Sequence, residues 1–148
     1  MRLWHYKLIP FLPKSQLLAQ WRELNSIFKN QPKHILINYV YEYPKKDLLY
    51  YTRLVLAEMN GRGCKIKNQE NAELYLSDVP LRDNLEMYPL ENPDFHPFER
   101  HHDDEYLTIC YFNLLEKYQR GQKDFDGEAM HRLAEYCEPI IERYMSHD

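Results

Sequence analysis

The chain reads as mainly α, a compact single-domain helical bundle with long loop connections. Three observations predict it. Apolar residues recur at helical spacing in separate segments, turn residues close those segments, and 148 residues supply one hydrophobic core rather than two. A hydrophobic fraction of 44% beside 28% charged and 14% aromatic residues is a folded composition, which excludes disorder over most of the length.

The first helix is expected over Ser15 to Lys29, with Ser15 as N-cap behind Pro13 and Leu17, Leu18, Trp21, Leu24 and Phe28 recurring at three and four. Gln20, Arg22 and Glu23 fall to its polar face. Ile35 to Tyr43 is β-branched and aromatic and reads as a short strand or an extended connection. A second helix runs from about Asp47 to Asn60, with Leu48, Tyr51, Val55 and Met59 on one face and Gly61-Arg62-Gly63 as its stop. Residues 77 to 102, with Pro80, Pro89, Pro93 and Pro97, read as the loop joining the two halves. A third helix follows from about Asp103 to Arg120, carrying Tyr106, Cys110, Leu114 and Tyr118 in a stripe and ending at Gly121. Asp126 caps a last helix through about Tyr144, which Pro139 should kink or break.

Several classes drop out. No stretch approaches the roughly 18 consecutive apolar residues of a membrane helix, and no apolar run near the start ends in a cleavage site, so a cytoplasmic protein without membrane attachment is expected. Cys64, Cys110 and Cys137 are odd in number and lack a C-x-x-C pair, which points to reduced, mostly buried thiols rather than disulfides or a zinc knuckle. The net charge of -4 is unevenly distributed. Residues 1 to 67 hold 12 Lys+Arg against 4 Asp+Glu, or +8, and residues 68 to 148 hold 7 against 19, or -12. Any nucleic-acid site is therefore to be sought in the first 67 residues. The chain is expected to be one domain over residues 1–148, with a basic region 1–80 and an acidic helical region 81–148. Charge blocks of this kind are also ordinary solvated faces.

Two local constellations could carry chemistry. His96, His101, His102, Asp103, Asp104 and Glu105 are dense enough in imidazole and carboxylate to suggest a metal-dependent hydrolase. Their spacing fits no metal motif, and acids at a helix start also serve its free amides, so no metal is assigned. Glu23 beside Arg22 is an ionised pair that, taken alone, is usually a surface pair. The 13 tyrosines, with Tyr39, Tyr41, Tyr43, Tyr50 and Tyr51 in the basic half, could stack on bases or simply pack.

The run from Leu12 through Pro13-Lys14-Ser15-Gln16 to Trp21-Arg22-Glu23-Leu24, then Phe28 and Lys33-His34, resembles the N-terminal region of the pyrimidine-dimer DNA glycosylase/AP-lyase (phage endonuclease V-like) family. Leu54 to Ile66, with Arg62-Gly63-Cys64, is similar to that family's second long helix and following turn, and Ser77-Asp78-Val79-Pro80 to the segment beyond. The resemblance covers roughly the first 80 residues; the acidic remainder departs from the family's basic aromatic tail. It implies a helical DNA-repair fold without metal or other cofactor, acting on double-stranded DNA with damaged bases.

It implies, further, that the free N-terminal amine attacks C1′ of the damaged nucleotide, forms an imine and permits β-elimination, while a first-helix glutamate, here Glu23, stabilises these steps. Amines form imines readily, and an α-amine is partly neutral near pH 7.5 where lysine is not. The family exposes threonine after losing its methionine; Arg2 should keep Met1 in place, and a one-residue shift ahead of Leu12 lays Met1-Arg2 on the family's threonine-arginine pair. Met1 would then supply the amine and Arg2 grip a phosphate. Arg22 matches a family arginine that contacts DNA, and Lys33 and His34 match a further basic pair, so DNA contact is expected of all three, with Arg2, Lys7 and Lys14 adding to that face. The alternative is a non-catalytic DNA- or protein-binding relative on the same scaffold. Lesion preference and oligomeric state are not legible.

Overall fold

The structure, a computed structural model, describes residues 1–79 and 94–146. Its elements are a 3₁₀ helix (Tyr6–Phe11), α1 (Lys14–Asn30), a second 3₁₀ helix (Asn38–Glu42), α2 (Lys45–Gly61), α3 (Gln69–Tyr75), α4 (Asp104–Gln119) and α5 (Gly127–Ser146). No strand occurs among the described residues. The chain is thus mainly α, and one continuous core runs from Leu3 through Leu17, Tyr51 and Phe98 to Cys137. Both halves contribute to it. No helix among the described residues is long and apolar enough to cross a membrane.

The helical stripes find their core. Leu17, Trp21, Leu24 and Phe28 of α1 are buried, as are Leu48, Tyr51, Val55 and Met59 of α2. α1 packs on α2 and α3, and α4 packs on α5. Gly63 (φ 73°) and Gly121 (φ 84°) take the left-handed backbone that ends α2 and α4, a conformation glycine adopts without steric cost. Asp126 caps α5 by accepting the Ala129 amide at 2.8 Å. The three cysteines are free, with Cys110 and Cys137 buried.

Several expectations are corrected. Ile35 to Tyr43 is neither strand nor extended: Ile37, Asn38 and Val40 donate back to His34 and Ile37 carbonyls, and residues 38–42 wind into a 3₁₀ helix. Local turn bonds satisfy the backbone there, with no neighbouring strand required. Pro13, not Ser15, stands at the N-cap of α1, and the Ser15 amide instead donates to Asp124 Oδ2 at 2.7 Å. A free donor of the first turn is thus met by a residue far along the chain. Of the kink or break expected at Pro139, the break does not occur: α5 runs through Pro139 as one helix. α3 has no counterpart among the helices expected from spacing; it is one short element that buries Ala72. Of the connecting loop over 77 to 102, Pro80, Pro89 and Pro93 lie outside the described residues.

From Asp94 onward that loop turns inward onto the core. Phe98 is fully buried yet takes φ 56°, a left-handed conformation costly for a bulky residue. Two things hold it there. Its ring packs against Tyr39, Tyr43, Tyr51 and His102, and its amide donates to the buried Asp47 carboxylate of α2 at 2.8 Å. Burial pushes the Asp47 pKa up, partly opposed by that bond. The Phe98 carbonyl in turn accepts the His101 and His102 amides, which fixes both imidazoles. Phe98→Ala should cost about 3–5 kcal/mol of unfolding free energy in urea titration. A loss below about 1 kcal/mol would mean that the ring does not anchor this segment.

Candidate active site

The first five residues belong to no helix, yet Leu3, Trp4 and His5 are buried. Buried peptide groups without secondary structure must find side-chain partners, and here those partners come from three helices and a turn. The Arg2 amide donates to Glu23 Oε2 at 3.2 Å, and the Arg2 carbonyl accepts Gln20 Nε2 at 3.0 Å. The Trp4 amide donates to Gln20 Oε1 at 2.8 Å. Tyr106 of α4 donates to the Leu3 carbonyl at 2.5 Å, and Tyr51 of α2 lies 2.6 Å from the Trp4 carbonyl. The Tyr6 amide donates to His102 Nδ1 at 3.1 Å.

Glu23 is half-buried and takes two bonds on Oε2, from the Arg2 amide and from Gln20 Nε2, the latter at 3.2 Å. Among the described residues no group donates to Oε1. Oε2 thus holds both the Arg2 amide and the Gln20 carboxamide. Met1 directly precedes the held amide and is exposed.

Gln20 does not lie on the polar face. It is 1% exposed, within the apolar stripe at three beyond Leu17 and four before Leu24. Sequence reasoning missed it together with Tyr51, His102 and Tyr106 as groups holding the N-terminal segment. Its helical phase was the available signal.

The candidate DNA contacts are dispersed. Arg22 is exposed and lines a cleft of about 520 Å³ with Lys14, Lys65 and Lys67. No acidic side chain lines it among the described residues. Its far wall, the segment after α2, is tied to α1 by Trp21 Nε1 donating to the Lys67 carbonyl at 2.8 Å. Arg62, by contrast, is committed to structure, donating to Glu58, Leu12 and Pro10. The Arg2 guanidinium lies 5.9 Å from the Trp4 and Tyr106 rings. Exposed Lys33 and half-buried His34 follow the end of α1 and do not line the cleft, and Lys7 lines a different, more apolar depression beside Tyr6.

The histidine-acid run is absorbed by structure. His102 accepts at Nδ1, so its proton sits on Nε2 and is donated to the Tyr39 hydroxyl 2.7 Å away. The Tyr43 hydroxyl accepts the Arg100 amide at 3.0 Å and is hydrogen-bonded to His101 Nδ1 at 2.7 Å. His96 Nε2 donates to the His102 carbonyl at 2.8 Å. Asp103 caps α4 by accepting the Tyr106 amide, with Asp104 and Glu105 in the first turn. Among the described residues no three His, Cys, Asp or Glu side chains form a group able to hold a metal ion.

No curated protein and no solved structure matches the chain. Residues 1–72 match the family model for pyrimidine dimer DNA glycosylase. This bears out the family read from the first two helices. The glycosylase match contains Gln20, Glu23, Tyr51 and the whole cleft, but it ends before His102 and Tyr106. The N-terminal segment is therefore closed on one side by residues outside the glycosylase match.

Burial, and next the charge of Lys7, lowers the His5 pKa to about 3. Burial, and then His5, depresses that of His102. Both rings are neutral in the folded protein. Below about pH 6.5 the unfolded chain binds protons that the folded chain refuses, so stability falls as pH drops from 6.5 toward about 3. The slope should reach at most about 1.4 kcal/mol per pH unit per histidine. Urea midpoints compared at pH 7.5 and 5.5 should show this loss, and equal midpoints would contradict neutral burial.

Proposed function

We propose that the protein is a DNA-repair glycosylase with AP-lyase activity, using the Met1 α-amine as nucleophile and Glu23 as the carboxylate that manages charge and protons. The observation that carries the reading is the bond from the Arg2 amide to Glu23, since Met1 N lies only roughly 3 Å from Arg2 N by covalent geometry. The substrate is double-stranded DNA bearing pyrimidine dimers or abasic sites. The family match supports the glycosylase class and the DNA substrate.

The neutral amine attacks C1′. The C1′–base bond breaks and its electron pair leaves with the base, which takes up a proton; the nitrogen lone pair then expels O4′ from C1′, opening the sugar to a 4′-hydroxyl that takes up a proton and completing the iminium. At an abasic site the amine adds to the open C1′ aldehyde and the resulting hydroxyl leaves as water instead. Loss of a C2′ proton then drives the C3′–O electron pair onto the departing phosphate, which cuts the strand. Water hydrolyses the remaining imine and returns the amine. Glu23 stabilises the cationic nitrogen and, through its open Oε1, relays protons.

Lys14, Arg22, Lys65 and Lys67 line a cleft against the helix that bears Glu23, with no acidic lining among the described residues, which suits phosphates. Arg2, Lys33 and His34 supply further contacts in this reading. Such contacts give affinity without sequence preference, as a lesion reader requires. A kinked lesion also makes nucleotide displacement cheaper.

Borohydride reduction in the presence of duplex DNA carrying a pyrimidine dimer or an abasic site should trap a covalent complex that maps to Met1. Glu23→Gln should lower strand cleavage by at least about 100-fold with little change in binding. No adduct on either DNA, from folded protein with a free Met1 amine, would leave the non-catalytic binding relative. The Lys65→Gln/Lys67→Gln pair should weaken duplex binding equally across sequences and reduce the slope of log K against log salt by about 2. An unchanged slope would remove the cleft from the DNA path.

A further inference from the structure

We propose that Gln20 is a positioning residue for the amine chemistry: its buried carboxamide locks the N-terminal segment and the Glu23 carboxylate into one register. The inference rests on the amine reading above and adds a residue to it.

A primary carboxamide offers two N–H donors and two acceptor lone pairs, and Gln20 engages all of them. Nε2 donates to the Arg2 carbonyl at 3.0 Å and to Glu23 Oε2 at 3.2 Å. Oε1 accepts the Trp4 amide at 2.8 Å and faces the Tyr51 hydroxyl at 2.9 Å, whose single proton also serves the Trp4 carbonyl. The amide cannot be turned over, because an amide nitrogen at Trp4 only donates while a carbonyl and a carboxylate only accept. Its two ends therefore read the backbone on both sides of Leu3. A slip of one residue would set carbonyl against Oε1 and amide against Nε2.

The same Nε2 touches the carboxylate that holds the Arg2 amide. Arg2 N, Arg2 O, Glu23 Oε2 and Gln20 Nε2 thus form a closed ring of contacts, and the position of the amine relative to Glu23 is set by Gln20 as much as by Glu23 itself. Reacting groups displaced by about 1 Å can lose about 100-fold in rate, so loss of the carboxamide should appear in the chemical step. Gln20 is buried and is not among the residues that line the basic cleft, so DNA affinity should not change.

Gln20→Met keeps the volume and removes all four bonds. On abasic-site duplex at saturating DNA, its single-turnover cleavage and trapping rates should fall by about 100-fold, while the Kd stays within about twofold. Hydrogen exchange without DNA should show the Arg2 and Trp4 amides losing protection while those of α2 keep theirs. Leu114→Ala, in the α4 core away from the segment, serves as the stability control: it should lower Tm and keep its rate well below that Tm. If Gln20→Met does not fold, Tyr51→Phe, which removes the one hydroxyl shared by Gln20 Oε1 and the Trp4 carbonyl, tests the same lock and should give a smaller rate loss at unchanged Kd. A wild-type rate in the variant that folds, or a loss matched by the Leu114→Ala control, overturns the proposal alone. Absence of trapping by the wild-type protein overturns the amine reading and this proposal with it.

Discussion

The structure depends on one constraint: a buried segment that is neither helix nor strand. Leu3, Trp4 and His5 are enclosed, so the backbone groups around them cannot turn to water, and an unmet buried N–H or C=O costs about 1–3 kcal/mol. Helices satisfy their own backbone, but this segment draws on side chains. That need accounts for four of the polar groups in or beside the core, namely Gln20 on α1, Tyr51 on α2, His102 before α4 and the half-buried Tyr106 within it. Each would be a liability in an apolar interior without its partner.

The same constraint gives the acidic half a task. α4 supplies Tyr106 to the Leu3 carbonyl, and the turn at Phe98 supplies His102 to the Tyr6 amide, so the segment is gripped from both halves of the chain. The turn holds because Asp47 of α2 accepts the Phe98 amide and the Phe98 ring fills the space between Tyr39, Tyr43 and Tyr51. The acidic residues stay largely outside this contact. Asp103, Asp104 and Glu105 sit at the start of α4, where they complement its dipole, while the basic cleft lies between α1 and the segment after α2. Separation of charge along the sequence thus becomes separation between structural elements.

Long periodic elements were legible in the sequence because burial there follows spacing. Leu17, Trp21, Leu24 and Phe28, or Leu48, Tyr51, Val55 and Met59, define their faces with no knowledge of the partner. Short elements were not. Residues 38–42 wind into a 3₁₀ helix because His34 and Ile37 offer carbonyls, and β-branched composition says nothing of such local bonds. At the site, Glu23 and Arg22 were found through resemblance, and Lys14 through resemblance and charge. Gln20 was assigned to the polar face by residue type although its phase put it in the core. Tyr106 and His102 could not be found from spacing at all, since their partners at Leu3 and Tyr6 are set by tertiary contact about 100 residues away. The histidine run misled for the opposite reason: its density suggested ligands, whereas each imidazole has a hydrogen-bonding role in the turn.

α1 resolves how one short region serves both backbone contact and chemistry. Lys14, Leu18 and Arg22 succeed one another at four and line the cleft; Leu17, Trp21 and Leu24 face the core; Gln20 and Glu23, three apart, meet the chain start. Arg22 and Glu23 are neighbours in sequence, so about 100° of helix rotation separates the cation that lines the cleft from the carboxylate that holds the Arg2 amide. A rigid helix keeps that angle fixed in a way that a loop does not. In the repair reading, phosphates seated along the Lys14–Arg22 edge would bring a sugar toward Glu23 without reorganising the protein. The contacts that retain the strand and those that position the nucleophile would then be parts of the same element.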